Sequence, residues 1–142
     1  DVYKRQLLRR VCRLSLPEVP DTAAWIGQSA KTIGAAWARA CPEMSTKDLN
    51  RRAQKGMIRM VLCLLSDVMN AHLGRQSQWV NADQESAVRK LAETMDCEQA
   101  AEKILAVQNM LRWVDVSVNE KLIFEQLLFM LSLSDILKVL PV

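Results

Sequence analysis

Lys47, Arg51, Lys55 and Arg59 follow one another at four-residue intervals, with Arg52 beside them. On a helix that interval stacks like charges along one face, at a cost of roughly a few tenths of a kcal/mol per pair. Such a row can bind phosphates, and binding of that kind weakens steeply with salt. It can also face an acidic partner, or be no more than a solvated face. A second basic group, Lys4, Arg5, Arg9, Arg10 and Arg13, is read either as a phosphate-binding arm or as the polar side of an end helix, and the second reading is preferred.

Little else in the chain points to chemistry. Cys12, Cys41, Cys63 and Cys97 stand far apart, whereas a zinc site needs closely spaced ligand pairs. There is one histidine, His72, near an expected helix end, where it complements the helix dipole. It has no candidate nucleophile close by in sequence. No glycine-rich phosphate loop and no nucleophile with its base can be recognised. The sequence therefore predicts no enzyme: no catalytic residues, no cofactor and no metal.

Half of the 142 residues are hydrophobic, which argues against a wholly disordered chain, and Gly and Pro number four each. Helix-favouring residues dominate, and no run of β-branched residues alternates strictly. The expected fold class is all-α, a compact helical bundle of five to six helices. The net charge of +3 hides a split. Residues 1–75 carry 13 Lys/Arg against 6 Asp/Glu, a balance of +7, and residues 76–142 carry 6 against 10, a balance of −4. No hydrophobic leader opens the chain, so free thiols in a cytoplasmic protein are expected. The first residue is Asp, so an excised domain or partial sequence is expected as well.

Residues 3–14 read as a short helix, and residues 15–21, with Pro17 and Pro20, as a connector. Residues 1–20 are thus a leading helix and connector, possible as the tail of an upstream domain, and 21–142 form a helical oligomerisation domain. Asp21 or Thr22 caps a helix to residue 40, with Trp25, Ile26, Ala30, Ile33 and Trp37 on its inner face. Gly27 and Gly34 permit close helix approach. Ser45 with Asp48 opens a long helix over 46–73. Its inner stripe is Leu49, Ala53, Met57, Met60, Val61, Leu64, Val68 and either Ala71 or His72, and Gly74 follows as its stop. Trp79 and Val80 tuck onto the domain. Asn81 with Gln84, or Asp83, starts a helix to about 95. Asp96 with Gln99 starts another over 97–115, with Ala100, Ile104, Val107, Leu111 and Val114 inward.

The stretch 117–140 is apolar round most of a helix, which implies burial on several sides. It is expected to be the central post, or to lie half in this core and half in a partner. Ser117 with Glu120, or Asn119, caps it. A membrane span is not expected, because Glu125 and Asp135 interrupt the pattern and a span needs about 20 mostly apolar residues.

A helix ending near Arg112, a turn with Val118-Asn119 and the run Leu122-Ile123-Phe124-Glu125-Gln126-Leu127-Leu128-Phe129-Met130-Leu131 together resemble the C-terminal collar domain of bacterial DNA polymerase III clamp-loader subunits, closest to delta-prime. Upstream, Leu62 to Met69 followed by Leu73-Gly74 resembles that family's long helix. Ser66 stands where Arg is common and Glu120 where Pro is. The resemblance covers roughly residues 46–135. The family's ATPase modules are absent: there is no GxxxxGK(S/T) loop, zinc module or Ser-Arg-Cys motif.

The resemblance implies a structural subunit-assembly domain of the DNA polymerase III holoenzyme. Its collar would pack into a ring that supports loading of the sliding clamp on primed DNA in replication. The implied partners are the delta and gamma/tau subunits, with the clamp and DNA reached only indirectly and no membrane. Asn119 would cap the last helix, and Glu125 would pair with an Arg, for which Arg112 is the candidate, or with a helix N-terminus. Leu122, Phe124, Leu128, Phe129 and Leu131 would divide between core and neighbour. The alternative is a basic nucleic-acid-binding or general protein-interaction domain. No helix-turn-helix signature accompanies it.

Overall fold

A computed structural model describes residues 2–116 and 119–139, with side chains as far as Ser132. Six α-helices run in order: α1 (Val2–Cys12), α2 (Val19–Ala40), α3 (Thr46–His72), α4 (Glu85–Ala92), α5 (Cys97–Asp115) and α6 (Glu120–Val139). Single 3-10 turns lie at Leu16–Glu18, Gln76–Gln78 and Ala82–Gln84, and no strand occurs among the described residues.

The helix ends follow from capping chemistry. Ser45 Oγ accepts the Asp48 N–H at 3.1 Å and starts α3. Asp96 and Gln99 form a reciprocal capping box at the start of α5. Gly74 closes α3 at φ 71°. There the Gly74 N–H reaches the Ala71 carbonyl at 3.3 Å and the Arg75 N–H reaches Asn70 at 2.8 Å, which completes a Schellman motif. α2 begins at Val19, three residues before the expected start. Pro20 does not break this helix, because in the first turn its missing N–H would have had no partner anyway.

The central element is α3. It packs against α1, α2, α4 and α5, whereas α6 lies on α2 and α5. The expectation that the last helix is the central post is therefore corrected. α3 buries Leu49, Ala53, Met57, Val61, Leu64 and Val68 as expected, and also Ile58, Leu65 and Asp67 on a second flank. Met60 is half-buried, and Ala71 packs against the core where His72 does not. His72 instead donates from Nε2 to the Met95 carbonyl at 2.7 Å, tying the end of α3 to the loop after α4.

α1 places Leu7, Leu8 and Val11 in the same hydrophobic cluster as the other five helices. On α2, Ile26 and Ala30 are buried and Trp25 and Ile33 half-buried. Trp37 was expected inside but is 41% exposed, at the rim of a cavity it shares with Tyr3 of α1 and Met57 and Met60 of α3. Val80 is likewise outside while its neighbour Trp79 is buried. α4 is shorter than expected, and Asn81 does not cap it.

The two α2 glycines mark close approaches. A Cβ on Gly27 would lie 2.7 Å from Glu120 Oε1 and 3.9 Å from the Phe124 ring. A Cβ on Gly34 would collide with Asn50 Oδ1 and lie 3.3 Å from the Asn50 Cα, which is backbone and cannot swing aside. Gly34→Val is therefore expected to lower stability by about 1–3 kcal/mol through overpacking. Urea unfolding checks this, and an unchanged midpoint would mean that α2 and α3 can part at this crossing without loss.

Candidate interaction surface

The N-terminus of α6 is built by three elements. Asn119 Oδ1 accepts the Lys121 N–H at 2.9 Å, and the Asn119 carbonyl takes the first helical bond from Ile123. Ser117, the other cap candidate, lies outside the described residues, as do Val118, Leu140 and the side chains from Leu133 onward. Glu120 accepts from Gln54 Nε2 of α3 at 3.0 Å and sits over Gly27 of α2. A carboxylate in a first helical turn is also favoured by the helix dipole.

α6 then divides cleanly. Phe124, Leu128 and Leu131 point into the core with Ile123 and Leu127. Leu122 and Phe129 point out, 58% and 44% exposed. Two helical turns separate them, so they stand one above the other on a single face. Among the described side chains of α6, the apolar girth is thus a buried face plus these two outward residues.

Glu125 is half-buried and faces Lys121 one turn back at 3.9 Å. It does not pair with Arg112. α5 meets α6 through Lys103, whose buried ammonium donates to the Met130 and Leu131 carbonyls at 3.1 and 3.0 Å. Arg112 follows nine residues later, half a turn round, and is exposed on the far side of α5. The buried face of α5 is Ala100, Lys103, Val107, Met110 and Val114, where the sequence pattern suggested Ile104 and Leu111 in place of Lys103 and Met110. On the opposite side Leu105, Trp113 and Val116 are exposed at i, i+8 and i+11, a second apolar stripe.

The basic row on α3 does not stand as one free face. Lys55 Nζ lies 2.6 Å from Asp115 Oδ1, which ties the end of α5 to α3. Arg51 is half-buried, and Lys47, Arg52 and Arg59 are exposed.

The polar group that sequence reasoning missed is Asp67. Fully buried on α3, it accepts the Val80 N–H at 2.8 Å, the Asn81 N–H at 2.8 Å and Asn81 Nδ2 at 2.7 Å. This holds the loop before α4 and takes up the Asn81 side chain that would otherwise cap. The signal available was its position, three residues after Leu64 on the inner stripe.

Cys12 donates to the Ala87 carbonyl at 3.2 Å, and burial pushes its thiol up to about 11, so it stays protonated and unreactive. No cluster of three or more metal-ligating side chains occurs among the described residues, and no helix there is long and apolar enough to cross a membrane.

A family model described as DNA polymerase III, delta subunit, C terminal, matches residues 41–132, from the residue after α2 through the described side chains of α6. No curated protein and no solved structure matches the chain.

Proposed function

The chain belongs to the family formed by the C-terminal domains of DNA polymerase III delta subunits, and on that footing we propose that it is an assembly domain of the clamp loader, of the delta-prime kind. In this reading it has no catalysis of its own. It joins the collar ring with the delta and gamma/tau subunits and so supports loading of the sliding clamp on primed DNA, in the cytoplasm.

The observation that carries the proposal is the pair Leu122 and Phe129, exposed on one face of α6 within the matched residues. An aromatic exposed beside a second apolar side chain is what a neighbour's collar would cover, and buried aromatics are typical anchors of such contacts. The stripe Leu105, Trp113 and Val116 on α5 offers a second such face, as a subunit flanked on two sides requires.

The test is light scattering behind a sizing column, with the chain alone and mixed with the other loader subunits from the same source. A stoichiometric larger complex is expected. Phe129→Asp is expected to remove it, an effect of about 30-fold or more in Kd for loss of an aromatic anchor. The circular dichroism should stay unchanged, because Phe129 contributes little to the core. Retained assembly by the folded variant would sink the assignment of Phe129.

A further inference from the structure

We propose that the seam between α1 and α2 binds a single strand of nucleic acid. The two helices run antiparallel. Tyr3, at the start of α1, shares a cavity with Ile33 and Trp37 near the end of α2, while Arg9, Arg10 and Arg13 share another with Thr22 at its beginning. On α1, Tyr3, Gln6, Arg10 and Arg13 follow at i, i+3, i+7 and i+10, which is one row on one side of the helix. That row is about 15 Å long, the reach of a few nucleotides.

The two ends of the seam differ in the way a nucleotide chain needs. One end is a cavity of about 380 Å³ with apolar and aromatic walls: Tyr3, Ile33, Trp37, Met57 and Met60, with Arg39 also lining it. Gly56 also lines this cavity and leaves open space where a side chain would stand. Arg52 and Arg59 flank Gly56 on α3, one turn to either side. The other end, about 320 Å³, is lined by Gln6, Arg9, Arg10, Arg13, Glu18 and Thr22. Between them Arg10 lies over the Trp25 ring at 4.5 Å.

The charge count decides the partner. Arg9, Arg13, Arg39, Arg52 and Arg59 form no ion pair with any carboxylate among the described residues, and Glu18 is the one acidic residue lining either cavity. Such a cationic groove suits a polyanion. Flat rings set between the guanidinium groups suit unpaired bases, which stack on aromatic side chains and on arginine, whereas a duplex keeps its base faces inside. An acidic peptide would satisfy the charges but has no faces for the rings.

The experiment is fluorescence anisotropy of labelled 20-residue oligo-dT with the 142-residue chain, against a duplex of equal length and against polyglutamate. The single strand is expected to bind tightest. With about four phosphate contacts its affinity should fall about 50-fold between 50 and 200 mM salt. Trp37→Ala should weaken it about tenfold through lost stacking. Arg10→Gln with Arg13→Gln should lower the salt slope by roughly 1.4, and Arg75→Gln, on the loop after α3, should change nothing. No binding at 50 mM salt would overturn the proposal. So would equal binding of polyglutamate or duplex, or seam variants that match the unsubstituted chain. Circular dichroism of the variants separates lost binding from lost fold, and Arg39→Gln, at an exposed position, gives a second reading of the aromatic end.

Discussion

Asp67→Ala is expected to lower the stability of this domain by about 3–5 kcal/mol, a large share of the total for a protein of this size. The side chain is fully buried, and its two oxygens accept from the Val80 and Asn81 backbone N–H groups and from the Asn81 amide. Removing it strands all three donors away from water. Each buried unsatisfied donor costs about 1–3 kcal/mol, and the sum is reduced because the loop can open and rehydrate. The same opening would release Trp79, which the pinned loop holds against the core with its ring under Arg89 at 5.3 Å. Scanning calorimetry should show the midpoint lowered by about 10–15 °C. Asp67→Asn should fall between, because it keeps one acceptor oxygen and turns an NH₂ toward the other donors. A midpoint within about 2 °C of the unsubstituted chain for Asp67→Ala would show that the loop is held by Trp79 alone.

Phe124→Ala is expected to cost about 3–5 kcal/mol, and Phe129→Ala less than about 0.5 kcal/mol. The two phenylalanines lie five residues apart on the same helix, yet one is 1% exposed against α2 and the other is on the surface. The first deletion opens a cavity that Gly27, having no side chain, cannot fill. The second removes almost no internal contact. Chemical unfolding of both variants reads this difference directly. Comparable losses would mean that α6 is rotated about its axis from the orientation described, and the candidate surface would move with it.

The contrast shows where local sequence patterns suffice and where they do not. Ser45, Asp96 and Gly74 announced the ends of α3 and α5 because a cap is a local geometry, complete within four or five residues. The all-helical class was legible for the same reason. The central position of α3 was not, because centrality depends on how many neighbours an element has. A long helix with charges on its outward residues reads as ordinary amphipathic. α6 read as central because Leu122 and Phe129 add apolar surface without adding burial. Asp67 and Lys103 were missed alike: an Asp or Lys on a helix is solvated unless a partner arrives from far along the chain, here 13 to 28 residues away. The α6 candidates named from the sequence divide into buried Phe124, Leu128 and Leu131 and exposed Leu122 and Phe129, a division that needed the packing.

The tie between the first helix and the fourth bears on how the chain is made. Lys4 meets Asp83 and Cys12 meets Ala87, partners 79 and 75 residues downstream. A ribosome adding about 5–20 residues per second leaves α1 without α4 for roughly 4–16 s. During that interval Leu7, Leu8 and Val11 have only α2 and the growing α3 to cover them. The nascent chain therefore passes through a stage in which the apolar face of α1 is open to chaperones, and it closes only after α4 has emerged.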